Sequence, residues 1–419
     1  MKFTLSAKLC ALAALGALAV PFAAPVSGAD DTIKIAYVDP LSGGGASIGE
    51  VGLKTFQYLA DELNAKGGAL GKKFEIIGYD NKLNAQETLV QVQKAIDAGV
   101  RIITQGNGSA FAAAISDFVT KHNERNPGKE VIYLNYAAVD PILTNEKCTF
   151  WHFRWDANSD QKMEALTNYM KTRSNIKKIY LINQDYSFGR AVEKAAVEMM
   201  KAKRPDIQIV GDEFHPLLKI TDFAPYVAKI KASGADSVIT GNWGQDIALL
   251  LKAAADAGLQ TDWYTYYAGG IGTPIGIKQA NLNHRVFLIG EGFPNIGYQP
   301  ANTFEKAFRA KYNLGLTYPR AVNQMRMLAE AIDKAKSLDS AKIGLALEGM
   351  KTKVFTSGEE GYMRADDHQF IQPLYISSFG ARTDKEPFDE EGTGWGWHLV
   401  SRIDTPQATV ATTCNMKRP

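Results

Sequence analysis

Apolar positions along this chain follow two alternating rhythms. Short, nearly continuous apolar runs predict buried strands over 33–38, 73–80, 100–104, 131–136, 178–183, 208–211, 237–240, 263–267 and 285–289. Between them lie helical stretches over 51–64, 85–98, 110–123, 160–172, 189–203, 223–233 and 245–257. Strands that are apolar on both faces, each followed by a helix, predict parallel sheets covered by helices on both sides. An extended run over 150–154 closes a first series, and the alternation restarts near residue 155, which predicts two similar lobes. Beyond 289 the pattern turns helical over 302–311, 321–336 and 340–350, and one more strand-like run covers 374–379. The tail from Gly380 lacks periodicity and reads as an ordered surface extension held by Cys414.

The stretch from Ile33 to Asn81 is the most informative. A strand leads into the loop Ser42-Gly43-Gly44-Gly45-Ala46-Ser47-Ile48-Gly49-Glu50, then a long helix, Lys66-Gly67-Gly68 and a second strand. This is an opening βαβ unit, and a glycine-rich loop after the first strand of a parallel sheet lies where such folds bind small molecules.

Residues 1–29 read as a secretion signal. Lys2 and Lys8 form its charged start, 9–20 its apolar stretch, and Ser27-Gly28-Ala29 its small-residue cleavage site, so the expected mature chain starts at Asp30. Removing 29 of 419 residues leaves 390, enough for two domains of ordinary size. The full chain carries 47 Lys and Arg against 45 Asp and Glu, and loss of Lys2 and Lys8 balances the two. No basic block marks a nucleic-acid partner, and no later run approaches the ~18 apolar residues of a membrane span. Of the three cysteines, Cys10 falls in the signal. Cys148 and Cys414 then predict one disulfide in an exported protein, with two buried free thiols as the alternative. A bridge across so long a loop would be credited with roughly 4–5 kcal/mol by loop-closure models.

Signs of catalysis or of a metal are weak. There is no G-x-S-x-G elbow, and Gly67-Gly68-Ala69-Leu70-Gly71-Lys72-Lys73 lacks the spacing and the hydroxyl residue of a phosphate loop. Gly106-Asn107-Gly108-Ser109 follows a strand and opens a helix but lacks the third glycine of a dinucleotide loop. His122, His152, His215, His284, His368 and His398 stand apart at no metal-ligand spacing, so neither a metal nor a cofactor is expected. Asp366-Asp367-His368 is the one dense polar cluster, and structural hydrogen bonding outweighs catalysis as its reading. An exported, neutral, two-lobed α/β chain of this kind points to binding rather than turnover.

The order and spacing of several segments resemble the type I periplasmic solute-binding proteins of ABC importers, in their leucine/isoleucine/valine-binding branch. The resemblance covers nearly the whole mature chain. It rests on Pro40-Leu41-Ser42-Gly43 with Gly49, on Asn64-Ala65-Lys66-Gly67-Gly68-Ala69-Leu70-Gly71-Lys72, and on Asp80. Ser109, Tyr136-Ala137-Ala138, Phe153-Arg154, Ser187-Phe188-Gly189 and Ala257-Gly258-Leu259 complete it. It implies two Rossmann-like lobes joined by three crossover strands and closing on a solute. Expected bounds are 30–155 with 294–356 for lobe 1, and 156–293 with 357–419 for lobe 2. It also implies a monomeric periplasmic receptor, without enzymatic activity, that is read by an inner-membrane ABC permease.

The same resemblance places Ser109, the main chain of Asn107 and Gly108, and Ala137 with Ala138 at the ligand's polar head. Phe188, Trp243 and Tyr267 would form an apolar clamp. Two positions depart from the amino-acid binders. Val139 stands where they carry a hydroxyl for the ligand's carboxylate, and Tyr267 is nearest to where they carry a glutamate for its ammonium. A buried ammonium without an anionic partner costs several kcal/mol. The expected ligand is therefore a small organic acid or amide, aromatic ones included. An amino acid is the alternative if Asp246 or Glu291 reaches the cleft, and a secreted α/β enzyme is the second alternative. Arg154, in the hinge motif, reads as structural ahead of ligand-binding.

Overall fold

The computed structural model describes residues 32–419; the expected signal at 1–29 lies outside them. In the first series, β1 (Thr32–Asp39), α1 (Ala46–Asn64), β2 (Lys73–Asp80), α2 (Ala85–Asp97), β3 (Ile102–Gln105), α3 (Ser109–Arg125), β4 (Ile132–Asn135) and β5 (His152–Arg154) follow in order. Their strands form a five-stranded parallel sheet ordered β2-β1-β3-β4-β5.

The second series runs α4 (Ser159–Lys171), β6 (Lys178–Gln184), α5 (Ser187–Lys203), β7 (Gln208–His215), α6 (Ala224–Ser233), β8 (Ser237–Thr240), α7 (Gln245–Asp256), β9 (Asp262–Thr265), α8 (Thr273–Gln279) and β10 (Val286–Gly290). Three helices follow, α9 (Gln299–Tyr312), α10 (Pro319–Ala335) and α11 (Ser340–Leu347). The chain ends with β11 (Lys351–Lys353), β12 (Glu360–Met363), β13 (Phe370–Ile371), β14 (Leu374–Ala381) and β15 (Trp395–Ile403). The second sheet has seven strands ordered β15-β14-β10-β9-β8-β6-β7, parallel except for β14, which is antiparallel to both of its neighbours, β10 and β15. β11, β12 and β13 form a small antiparallel sheet of their own.

Strands buried on both faces explain the continuous apolar runs. On β1, Ile33, Ile35 and Tyr37 pack with α1 and with Phe304, Met325 and Ile343 of α9–α11. Ala36 and Val38 face the other way, onto Val92 of α2 and Ile115 of α3. The second sheet is likewise covered on both faces: Ile179 and Leu181 meet α4 and α5, while Tyr180 and Ile182 meet α6 and α7. Asn158 starts α4 with a reciprocal capping box to Gln161. Gly49 lets α1 lie against the end of β1, since a Cβ there would sit 1.6 Å from the Pro40 carbonyl oxygen.

The chain passes between the two sheets three times: after β5, after β10, and between β13 and β14. The first and third of these segments are stitched together. Arg154 Nε donates to Gln369 Oε1 at 2.8 Å, Gln369 Nε2 to the Asp156 carbonyl at 2.8 Å, and Gln372 Nε2 to the Trp155 carbonyl at 3.3 Å.

The tail corrects one expectation. It carries the nine-residue strand β15, which pairs along the whole of β14. Past it, Thr412 and Thr413 bond to Thr144 and Asn145, and Cys414 is disulfide-bonded to Cys148.

Candidate functional site

Leaving β14 and β15 aside, both sheets share one strand order: β2-β1-β3-β4-β5 in the first matches β7-β6-β8-β9-β10 in the second. Open sheets of this order bind ligands outside the carboxyl ends of their strands, where the order reverses. A cavity of about 140 Å³ lies there, lined from both series by the segments that follow β3, β4, β6, β8, β9 and β10. An apolar cavity of ~150 Å³ accepts benzene, so the space suits one ring-sized solute.

The first sheet supplies the polar end. Gly108 has φ 99°, a left-handed backbone that favours glycine, and it opens α3 at Ser109 with no side chain capping the helix. Asp39, at the end of β1, holds this loop from below. It accepts from the Gly106 and Asn107 amides at 3.1 and 2.9 Å and from the Tyr136 hydroxyl at 2.7 Å. Burial nevertheless pushes its carboxyl up to about 6. The Asn107 side chain donates to Tyr136 at 2.9 Å and accepts from Tyr318 at 3.2 Å, and its main-chain carbonyl accepts from Gln105 at 2.9 Å. Ser109 is different: its Oγ accepts from the Asp140 amide at 3.2 Å, which leaves its own hydrogen to donate. The Ala137 and Ala138 amides are held by Asn135 Oδ1 at 3.1 and 2.8 Å. Val139 also lines the cavity.

Rings from the second sheet form the opposite wall. Phe188 stands 5.9 Å from the Tyr267 ring and 6.0 Å from Tyr186. Trp243 Nε1 donates to the Tyr186 hydroxyl at 2.7 Å. The Tyr267 hydroxyl reaches back to the Ala137 carbonyl at 3.4 Å and Asp156 at 3.2 Å. All nine residues expected at the ligand, from Asn107 to Tyr267, therefore border one cavity.

A buried charge cluster was not foreseen. Lys162 pairs with Asp156 at 2.6 Å, and Arg320 sits 3.4 Å from Asp156 and pairs with Glu291. Lys162, Glu291 and Arg320 line the cavity. Burial pushes the Asp156 carboxyl up and the Lys162 ammonium down. Burial would raise Glu291 too, but Arg320 and Lys162 outweigh it and hold Glu291 below the ordinary range. Glu291 thus places a carboxylate in the wall, which removes the premise that the cleft has none. Asp246 is turned away to Gln184 and the Leu218 amide, both at 2.8 Å. Tyr186 was also missed, although it directly precedes the Ser187-Phe188-Gly189 motif.

Arg154 lies outside the cavity lining and is wholly buried. It donates to the Ala138 and Asp140 carbonyls at 3.4 and 2.7 Å and to Thr144, and so fixes the loop that carries Val139. The Asp366-Asp367-His368 cluster is structural: Asp367 binds Arg364, and His368 stacks on Phe153 at 3.8 Å and pairs with Glu348.

The profile of the family described as "Periplasmic binding protein" matches residues 32–384. The Leu/Ile/Val-binding protein homolog 4 of Brucella abortus is 33% identical over 427 residues, covering 99% of this chain and all of that protein. The leucine-, isoleucine-, valine-, threonine- and alanine-binding protein of Brucella ovis, solved in a closed conformation, superposes with a TM-score of 0.81 at 33% identity, over 93% of this chain and 100% of that one. A solute-binding protein of an ABC transporter from R. palustris, solved with 4-hydroxybenzoate, has a TM-score of 0.76 at 18% identity over 90% of this chain and 98% of that one, a likeness of fold.

Proposed function

We propose a ligand and a working cycle for this chain, which belongs to the periplasmic binding proteins and, among them, to the Leu/Ile/Val-binding group. It is a solute-binding component of an ABC transporter and not an enzyme. In our reading it works as a monomer in the periplasm, exported by the signal at 1–29. Its halves, 30–155 with 294–356 and 156–293 with 357–419, close on a solute and present it to an inner-membrane permease.

The solute is a small organic acid or amide with a flat apolar body, aromatic acids among them. One observation carries this reading: the free Ser109 hydrogen and the uncapped start of α3 face the cavity opposite the rings of Tyr186, Phe188, Trp243 and Tyr267. Donors at a helix start suit a carboxylate or carbonyl oxygen, and rings suit a flat body. A second reading, an amino acid, is favoured by Glu291, an anion in the same wall.

Thermal melts against benzoate, 4-hydroxybenzoate, benzamide, leucine and valine test both. A ligand at a hundred times its Kd adds about 2.7 kcal/mol to stability. A shift with the acids or the amide supports the first reading. Shifts with leucine and valine alone replace it with the second, and no shift with any of the five overturns both.

A further inference from the structure

The loop between β14 and β15 reaches from the second sheet to a helix of the first core, and the proposed function leaves it without a role. On its own side the loop is well fixed. The Glu390 amide donates to the Trp395 carbonyl at 2.8 Å, and Asn295 Nδ2 donates to the Phe388 carbonyl at 2.9 Å. The Glu391 carboxylate accepts from the Gly272 and Ile275 amides, at the start of α8, at 2.5 and 3.3 Å. Trp395 packs with Tyr180 and Phe379 of the second sheet.

The Glu390 side chain, 15% exposed, meets Arg309 of α9, whose Phe304 and Phe308 pack in the core of the first sheet. Arg309 Nη2 donates to both Glu390 oxygens at 3.2 Å, and Nη1 donates to the Asp389 carbonyl at 2.6 Å. Nε donates to Glu305 Oε1 at 2.5 Å, and the Glu305 carboxylate accepts from the Leu316 amide at 3.3 Å. One planar guanidinium thus holds Glu390, Asp389 and Glu305 in a fixed arrangement. Burial raises the Glu390 carboxyl to about 7, so near neutral pH its protonated form also serves Arg309 as an acceptor.

This pair bears on the cavity wall. A Cβ on Gly315 would stand 2.8 Å from Glu390 Oε2 and 2.9 Å from Arg309 Nη2, so the wall segment passes directly under the pair. Gly315, Leu316 and Tyr318 line the cavity together with Glu390. Both Glu390 oxygens face Arg309, so its part is to fasten this wall rather than to touch the solute.

We propose that Arg309 and Glu390 are positioning residues, fastening the β14–β15 loop across to the segment from Gly315 to Tyr318, and that this fastening slows solute release. The inference rests on the proposed closure of the two halves on a solute. A tie that breaks before the halves part acts on the release rate and leaves the encounter rate alone.

Stopped-flow mixing of the full chain with whichever of benzoate, 4-hydroxybenzoate, benzamide, leucine and valine shifts its melt gives both rates. Glu390→Ala should release the solute about tenfold faster, with association within about threefold of native. Arg309→Lys should do the same, because an ammonium keeps the charge for Glu305 but cannot also reach Asp389 and Glu390. Glu390→Gln keeps an acceptor for Arg309, and Glu391→Ala loosens the loop only on its own sheet, so both should release within about threefold of native. Hydrogen exchange of the ligand-free protein adds a second readout. Glu390→Ala should speed exchange at Leu316, and Glu391→Ala at Gly272 and Ile275 instead. If Glu390→Ala does not fold, Arg309→Lys carries the same expectation. Native release rates, an equal effect of Glu391→Ala, or a change confined to association overturns the inference and leaves solute capture standing. Binding of none of the five compounds overturns the proposed function, and this inference falls with it.

Discussion

The indole N–H of Trp243 donates to the hydroxyl of Tyr186 at 2.7 Å, and this bond settles what each ring offers a solute. Trp243 presents only its apolar face. Tyr186 accepts from Trp243 and keeps its own hydrogen, and burial raises its pKa, so it stays a donor. Tyr186→Phe therefore removes a donor to the ligand and leaves the indole N–H unpaired. Titration should show about tenfold weaker binding, and denaturant unfolding a loss of ~1–3 kcal/mol. Trp243→Phe should weaken every ring-bearing ligand alike, because it shortens the clamp without removing the Tyr186 donor.

Arg154 does not itself border the cavity, yet it fixes the loop that carries Ala138 and Val139. Arg154→Met would leave the Asp140 carbonyl and Gln369 Oε1 without their donor in a dry site. The expected loss is about 3 kcal/mol or more in urea unfolding, with weaker ligand binding. Arg154→Lys should not rescue it, because one ammonium cannot reproduce the planar fork that reaches Gln369, Asp140 and Thr144 together.

The Cys148–Cys414 bond closes a loop with a sequence separation of 266. The double variant Cys148→Ser/Cys414→Ser should lose ~2–5 kcal/mol. Ligand affinity should be unchanged, since neither cysteine borders the cavity. Thermal melts of the native protein with and without reductant should reproduce the stability loss.

Burial pushes Asp39 up to about 6 and Glu390, which borders the cavity beside Arg309, up to about 7. In the unfolded chain both groups ionise nearer pH ~4. The folded protein therefore holds protons there that the unfolded chain has lost. This contribution is complete below pH ~4 and disappears as the pH rises through the two folded values. Glu390→Gln should accordingly lose less stability than the native protein between pH ~5 and ~8. The difference between the two unfolding curves is the readout, because depressed carboxylates such as Asp80 act in the opposite sense at lower pH.

How far the fold could be read depended on how local its causes were. β1, β6 and β8 were legible because both faces are largely buried and apolar residues run through their centres. α1 begins at Ala46, earlier than expected, because Gly43–Gly45 already forms a helical turn. α8 escaped because Gly272, Pro274 and Gly276 look like loop chemistry. β15 escaped because Leu399 and Val400 lie exposed near a bulge in its pairing, which breaks the alternation of a strand. Ser109, Phe188 and Trp243 directly follow strands and could be placed by the position rule for parallel sheets. Arg320 could not: its partners Glu291, Asp156 and Tyr136 come from other segments, and nothing near Tyr318-Pro319-Arg320 signals that they converge.

The central claim is that a small carboxylate-bearing or amide solute enters this cavity and leaves it unaltered. Native mass spectrometry of the mature protein, mixed with a panel ligand and then denatured, addresses it directly. The account predicts a single non-covalent adduct, lost on denaturation, with the ligand recovered at its original mass. No adduct with any acid or amide, or recovery of a chemically altered compound, would contradict it.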